Sequence, residues 1–196
     1  MKILVTGANG YIGMRLIPYL VQAGHEVYCA VRDPDRLSVN TSLRKQLHLI
    51  TLDFLNLPKN NPIPKDIDVA YYLIHSMSSD VGDFSQMEAQ CAHNFIHLLA
   101  KTNAKQIIYL SGIVNEKNLS KHLASRKNVE DILTTSPIPT TVLKAGIIVG
   151  SGSASFEIIR DLCEKLPVMV TPKWVKTKSQ PIGIRNVMEY LTGVLL

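Results

Sequence analysis

Long apolar runs are missing from this sequence. Only three apolar residues separate Lys2 from Thr6, too few for the core of a signal peptide, and no later stretch of the 196 residues reaches the length of a membrane span. We therefore expect a soluble, cytoplasmic protein that does not contact a membrane.

Cysteine is also scarce. The chain has three, and they show neither CxxC spacing nor a pairing pattern, which argues against a disulfide scaffold. Cys29 falls in a predicted strand, and Cys91 and Cys163 fall in predicted helices. All three are expected to be buried free thiols in a reducing cytosol, and no metal site is predicted.

Charge of one sign is not concentrated in any long segment. The chain carries 21 Lys and Arg against 16 Asp and Glu, a formal net charge of +5, yet the basic residues are scattered and only Lys173 to Lys178 resembles a cluster. Such a surface favours anionic small molecules and does not require nucleic acid. A small-molecule substrate and no nucleic-acid partner are expected.

What the sequence does have is a set of glycines at a defined spacing near its start. A strand pattern over Lys2–Thr6 runs into Gly7-Ala8-Asn9-Gly10-Tyr11-Ile12-Gly13, and an amphipathic helix pattern follows. A pyrophosphate must approach the backbone closely at a helix N-terminus, where free N–H groups and the helix dipole favour negative charge. Side chains at Gly7 or Gly10 would block that approach, and Gly13 lets the helix lie close to the sheet. The alternative is a tight strand-to-helix turn without a ligand.

Strand and helix patterns alternate along the rest of the chain, which is typical of a doubly wound, mostly parallel α/β sheet of Rossmann type with helices on both faces. At 46% hydrophobic residues the chain can bury one such core. The predicted strands are Lys2–Thr6, His25–Val31, Leu47–Leu52, Asp68–Ile74, Ile107–Leu110 and Thr140–Val149. The predicted helices are Tyr11–Val21, Asp83–Ala100, Lys121–Leu133, Phe156–Leu166 and Asn186–Leu196.

The end of the second predicted strand bears on the choice of cofactor. Dinucleotide folds usually place an acid there to hydrogen-bond the ribose 2′-OH, whereas Val31 is followed here by Arg32 and Asp33. The Arg32 guanidinium can pair with a 2′-phosphate, so NADP is the expected cofactor, and Asp33 keeps NAD as the alternative. Asp53, after the third strand, is placed either to accept from the adenine amino group or to cap the next turn.

Two further segments border the expected crevice. His75, in Leu73-Ile74-His75-Ser76-Met77 at the end of the fourth predicted strand, is expected to contact ribose or substrate; the alternative is a histidine satisfied by the backbone. The small polar run Ser151–Ser155 suits a loop over the nicotinamide, and equally a connector that caps the next helix.

Taken in order, these pieces resemble the extended short-chain dehydrogenase/reductase superfamily, near the NmrA-like NAD(P)-binding proteins. The resemblance implies a seven-stranded Rossmann-like sheet, with pyrophosphate on the Tyr11 and Ile12 amides and nicotinamide near strands four to six. The matching pieces are Thr6–Gly13, Val31–Asp33, Asp53, Ile107–Gly112, Lys144–Gly150 and Gln180–Val187. The residues expected to bind the cofactor are Gly7, Asn9, Gly10, Tyr11, Ile12, Gly13, Arg32, Asp53, Leu73, His75 and Ala145.

The resemblance also places Ser111 in the position of the family's catalytic serine, where a hydroxyl can hydrogen-bond a substrate carbonyl; a plain Ser-Gly turn is the alternative. Family enzymes carry Tyr-x-x-x-Lys on the following helix, and this chain has His122-Leu123-Ala124-Ser125-Arg126 instead. His122 can donate a proton near neutral pH, and Arg126 can hold ribose or phosphate. Both are equally compatible with a solvent-exposed helix face.

Three functions stay open on this basis. The first is an NADP-dependent oxidoreductase acting on a small carbonyl or related substrate, with Ser111, His122 and Arg126 as catalytic residues. The second is a non-catalytic, NmrA-like NAD(P) sensor, which the missing Tyr-x-x-x-Lys favours. The third is an epimerase that keeps its cofactor bound.

The expected organisation is a nucleotide-binding core over residues 1–150 and a C-terminal extension over residues 151–196. The last predicted helix runs to Leu196 without a glycine stop, so the extension is expected to begin a larger substrate-binding part or to dock on another subunit.

Overall fold

A six-stranded parallel sheet forms the centre of the protein in a computed structural model, which describes residues 1–75, 84–113, 120–166, 178 and 180–196, apart from the side chains of Lys121 and Ser155. The strands are β1 (Lys2–Thr6), β2 (Glu26–Val31), β3 (Leu47–Thr51), β4 (Val69–Tyr72), β5 (Gln106–Gly112) and β6 (Thr140–Ala145). Their order across the sheet is β3-β2-β1-β4-β5-β6. This is the doubly wound order, and it confirms the predicted fold class.

Helices cover both faces of the sheet. They are α1 (Tyr11–Gln22), α2 (Thr41–Arg44), α3 (Phe84–Leu99), α4 (Lys121–Thr134), α5 (Ala154–Lys165) and α6 (Ile184–Gly193), with a short 3₁₀ turn at Pro34–Arg36. One apolar core contains residues of α3 and α4, and the other contains residues of α1 and α6. The sheet therefore has a core on each side.

Central strands β1 and β4 send alternate side chains into the two cores. Ile3, Val5 and Tyr71 lie in the core under α1 and α6, while Leu4 and Ala70 lie in the core under α3. Because both faces are covered, the central residues of these strands are apolar instead of alternating with polar residues. The strand order reverses between β1 and β4, so a crevice opens beside their carboxyl ends.

The sixth predicted strand, Thr140–Val149, is wrong in its second half. Strand β6 ends at Ala145, and a separate two-stranded sheet pairs β7 (Ile148–Val149) with β8 (Ile182–Gly183). Gly146 marks the break, because an added Cβ there would lie 2.3 Å from the carbonyl oxygen of Gln180. Strand β8 pairs with β7 and does not extend the main sheet, so the implied seven strands are six among the described residues.

The predicted open-ended C-terminal helix is also wrong. Helix α6 ends at Gly193, and its last turn is anchored to the sheet. The Tyr71 hydroxyl donates to the Leu191 carbonyl at 2.7 Å, and Gln106 Nε2 donates to the Val194 carbonyl at 2.8 Å. These buried donors account for carbonyls that a helix C-terminus leaves unpaired.

Two of the three thiols are buried as expected, and the third is not. Burial raises the pKa of the Cys29 thiol to about 12 and that of the Cys91 thiol to about 11. Cys163 is exposed on the outer side of α5, which corrects its expected burial. In the described part of the chain, no helix is both long and apolar enough to cross a membrane.

Candidate functional site

A cleft of roughly 170 Å³ lies at the carboxyl ends of β1 to β4. The glycine loop after β1 forms its floor, the ends of β2, β3 and β4 form its rim, and one face of α3 closes it. Seven of the predicted cofactor residues line this cleft, namely Gly7, Asn9, Gly10, Arg32, Asp53, Leu73 and His75. Tyr11, Ile12, Gly13 and Ala145 do not contribute to its lining.

Gly7 is required by the backbone at the point where β1 meets the end of β4. Its φ is +62°, and an added Cβ would lie 2.4 Å from the carbonyl oxygen of Leu73. The Thr6 hydroxyl joins the same strands, since it donates to the Tyr71 carbonyl at 3.0 Å and accepts from the Leu73 amide at 3.2 Å. The loop is thereby held against β4 on one side of the cleft.

Gly10 is less restricted than Gly7, because its backbone is extended and the nearest neighbour of an added Cβ lies farther away. It is the N-cap of α1, and an added Cβ would lie 3.1 Å from the Gly7 carbonyl oxygen, a tight contact that a small shift of the loop would have to relieve. A larger side chain would instead project into the cleft beside the first turn of α1. The amides of that turn have no partner within the helix, which suits an anionic group.

Gly13 has a different neighbour from the expected one. An added Cβ would lie 2.5 Å from the Gly7 carbonyl oxygen and 2.8 Å from the Ala8 Cα. These atoms belong to the glycine loop and not to the sheet. Gly13 therefore lets the loop fold back against α1, which corrects the prediction that it brings the helix close to the sheet.

The Tyr11 side chain points to the loop after β7 rather than offering its ring to the cleft. The Arg15 guanidinium lies 3.8 Å from the Tyr11 ring centroid and donates to the Ser151 carbonyl at 2.5 Å. In the same loop, Ser153 Oγ donates to the Ile148 carbonyl at 2.8 Å. This part of Ser151–Ser155 is thus bonded to its surroundings, as in the predicted connector, although the Ser153 side chain makes no capping bond to α5.

Two arginines face the cleft from the end of β2. Arg32 follows the strand directly, and Arg36 closes the 3₁₀ turn four residues later. Between them, Asp33 caps that turn by accepting from the Asp35 amide at 3.0 Å. Arg36 was not predicted as a cofactor residue, although two arginines spaced across one tight turn were a signal that both face the same space.

Asp53 caps the turn that follows β3, which is one of its two predicted roles. Its Oδ1 accepts from the Leu55 amide at 3.0 Å, and its Oδ2 accepts from the Asn56 side chain at 2.8 Å. The residue also lines the cleft, so the same carboxylate borders the space where an adenine is expected.

Ser111 lies near the carboxyl end of β5, outside the cleft lining. It is 1% exposed, and its hydroxyl has no hydrogen-bond partner among the described residues. On α4, an Arg126 guanidinium nitrogen is 3.8 Å from where a Cβ on the next residue, Gly112, would be. Ala145, the last residue of β6, pairs in register with Gly112. Arg126 and Ala145 therefore both lie near the carboxyl end of β5.

His122 is exposed and lies beside α3, with its ring 5.2 Å from the Phe84 ring and 6.3 Å from the His75 ring, measured between centroids. His122 and Arg126 are four residues apart on α4 and therefore share one face of the helix. Among the described residues, no hydrogen bond joins His122 to Ser111.

A chain of polar side chains connects the cleft to α4. His75 Nδ1 lies 3.0 Å from Glu88 Oε1, and the Ser125 hydroxyl donates to Glu88 Oε2. Glu88 and Ser125 are 5% and 0% exposed. Neither residue was predicted as part of the site, although a glutamate on the otherwise apolar face of α3 was a signal for Glu88.

Some sequence predictions fall outside the described residues. These are Ser76 and Met77 after His75, the side chain of Ser155, and Lys173 and Lys176 of the basic cluster. Within the described residues, no group of three or more His, Cys, Asp or Glu is arranged to hold a metal ion.

Comparison with known proteins defines the family. Residues 3–158 match the NAD dependent epimerase/dehydratase family. The chain belongs to the NAD-dependent epimerase/dehydratase family. This family is of the extended short-chain dehydrogenase/reductase type, so the broader resemblance is confirmed, and epimerases and dehydratases replace the NmrA-like proteins as the relevant relatives.

Solved structures support the fold of this epimerase/dehydratase family member. MoeE5, solved with UDP-glucuronic acid and NAD, is 16% identical with a TM-score of 0.76, covering 100% of this chain and 73% of that one. The UDP-glucuronic acid 4-epimerase of Bacillus cereus is 20% identical with a TM-score of 0.68, covering 98% and 72%. The UDP-glucose 4-epimerase of Thermotoga maritima is 13% identical with a TM-score of 0.71, covering 99% and 73%. No curated protein sequence matches the chain.

Proposed function

We propose that this family member binds NAD(P) in the cleft, with a preference for NADP, and uses it for hydride transfer on a small carbonyl or related substrate. The elements that meet at the cleft are the main support for this proposal. It joins the glycine loop, the N-terminus of α1 and the ends of three strands at the position where the strand order reverses.

The residues present fit a dinucleotide at several points. Gly10 lines the cleft beside the first-turn amides of α1, which suit a pyrophosphate. Arg32 and Arg36 supply positive charge beside the expected adenosine, while Asp33 is engaged in its own turn. Two guanidinium groups favour a 2′-phosphate over a 2′-hydroxyl, which supports NADP as the preferred cofactor.

The β5–α4 end supplies the groups for a reaction. A bound nicotinamide would provide or accept the hydride. The buried hydroxyl of Ser111, which has no hydrogen-bond partner among the described residues, is suited to hydrogen-bond the substrate oxygen, and Arg126 on the following helix is suited to hold an anionic or hydroxyl group. The exposed His122, on the same face of α4 as Arg126, is one candidate for the proton donor.

An epimerase with a tightly held cofactor is the second candidate, and the family match favours it. An oxidoreductase consumes one NADPH for each substrate molecule that it reduces. An epimerase returns the hydride to the same substrate and shows no net change in nicotinamide absorbance. This difference separates the two reactions once a substrate is known.

The test of the proposed site is a titration of the purified chain with NADPH, NADH, NADP⁺ and NAD⁺, followed by nicotinamide fluorescence or calorimetry. Tighter binding of NADPH than of NADH is the expected result. Binding of none of the four nucleotides would contradict the proposed function, and equal binding of NADPH and NADH would remove the NADP preference alone.

A further inference from the structure

Three elements bring an imidazole, a carboxylate and a hydroxyl together at the cleft. His75 follows β4, Glu88 is on α3 and Ser125 is on α4. Glu88 Oε2 accepts from the Ser125 hydroxyl, and Glu88 Oε1 lies 3.0 Å from His75 Nδ1. Since His75 and Glu88 also line the cleft, this group borders the space proposed for the cofactor.

The bonding pattern determines which ring nitrogen of His75 carries hydrogen. Glu88 is buried, and its ionised carboxylate can only accept hydrogen bonds. The neighbouring Nδ1 must then be the donor, which leaves Nε2 with the lone pair in the neutral ring. No described residue hydrogen-bonds Nε2, and the His75 side chain is 27% exposed, so a ligand can reach it.

The charges around His75 come from several elements. On α3 it faces Glu88, and on α4 it faces the ring of His122 at 6.3 Å between centroids. Arg32, Arg36, Asp33 and Asp53 line the same cleft from the other side. Among these groups, Glu88 alone is in direct contact with the imidazole. An anion bound in the cleft would therefore add a second negative charge near the ring.

We propose that His75 is the proton-transfer residue of the cleft and that Glu88, anchored by Ser125, is the positioning residue that turns Nε2 towards the bound ligand. This proposal rests on the proposed function. In a carbonyl reduction, the proton that leaves Nε2 forms the new O–H bond and balances the hydride supplied by the nicotinamide. The neutral imidazole then recovers a proton from water at its exposed edge.

Binding of NADPH itself should load this proton. The proposed transfer requires a proton on Nε2 in the NADPH complex, so NADPH binding should be accompanied by proton uptake. The uptake is measured by calorimetric NADPH titrations in buffers of different ionisation enthalpy. No substrate is needed, so the proton is followed separately from turnover.

The ring state is read by ¹⁵N NMR of the histidine side chains in the free protein. Wild type should show His75 with hydrogen on Nδ1, and Glu88→Gln, which keeps the shape of the side chain, should lose that preference. Ser125→Ala should reduce it partly. His75→Gln should abolish the proton uptake on NADPH binding, whereas His93→Gln, an exposed histidine on α3, should leave it unchanged.

Each outcome bears on one proposal. Failure of wild type to bind NADPH contradicts the proposed function and removes the basis of this inference with it. Normal binding without proton uptake, or with uptake that His122→Gln abolishes and His75→Gln does not, overturns the inference alone. Hydrogen on Nε2 in the wild-type ring also overturns it, and this reading does not depend on the folding of any variant.

Discussion

The glycine-loop end of the site and its β5–α4 end depend on different kinds of contact. At the glycine loop, backbone atoms set the geometry, since Gly7 and Gly13 are each required by a carbonyl oxygen within 2.5 Å of an added Cβ. At the β5–α4 end, side chains from separate elements meet: Arg126 reaches Gly112 at the end of β5, and Glu88 joins His75 to Ser125.

This difference separates the binding of a cofactor from the choice of a reaction. A pyrophosphate site needs only a few backbone amides at a helix end, and seven contiguous residues supply them. Acid–base chemistry needs side chains at matched distances, and three elements far apart in sequence supply these. The first kind of site can be recognised in a short motif, whereas the second kind requires the fold.

The largest expected effect of a single substitution is at Gly7. Gly7→Ala should lower the free energy of unfolding by about 3 kcal/mol, because left-handed backbone strain adds to the overlap with the Leu73 carbonyl. Gly24→Ala is the matched control, since its φ is +78° and no atom lies within 4 Å of an added Cβ. Urea unfolding measures both. Equal losses would show that the contact with β4 does not constrain the loop.

Gly10→Val should separate binding from folding at the same loop. The valine projects into the cleft, so NADPH affinity should fall at least about 100-fold, or about 2.7 kcal/mol, while the unfolding free energy should fall less than in Gly7→Ala, because the Cβ contact is longer and the backbone is extended. Gly193→Ala, with open space around its Cβ, is the control. Nicotinamide fluorescence reports the affinity, and retained binding would contradict the assigned pyrophosphate position.

Two buried serines test the β5–α4 end. Ser125→Ala should cost about 2 kcal/mol of unfolding free energy because Glu88 loses a hydrogen bond, whereas Ser111→Ala should be neutral or slightly stabilising because its hydroxyl has no partner. Both serines are at most 1% exposed, so burial is matched. Urea unfolding without nucleotide measures the pair. A comparable loss at Ser111 would show that its hydroxyl is already bonded in the free protein.

The smallest expected effect is at the cofactor-selecting rim. Arg32→Ala should weaken NADPH by about tenfold, or about 1.4 kcal/mol, and leave NADH nearly unchanged, because only NADPH offers a 2′-phosphate to the guanidinium. NADH titrated against the same variant is the internal control. If both nucleotides lost affinity equally, Arg32 would contribute general charge and not selectivity.

The sequence predicted the local elements well because their signals lie within a few neighbouring residues. The helix after the glycines was predicted over Tyr11–Val21 and is observed over Tyr11–Gln22. The predicted strand Thr140–Val149 failed because its turn depends on the approach of Gln180 to Gly146, which no local pattern encodes. The prediction that Cys163 is buried failed because helix periodicity does not show whether another element covers that side of the helix.

By itself, the sequence determined the alternation of strands and helices, the glycine loop and the basic end of β2, because each depends on short-range backbone preferences and on apolar periodicity. Only the tertiary structure decided which polar groups share the site. It placed Glu88 between His75 and Ser125, buried Ser111 without a hydrogen-bond partner among the described residues, and brought His122 beside Phe84 and His75. The partners of Glu88 lie 13 and 37 residues away along the chain, so these contacts form only after the sheet and its helices are assembled.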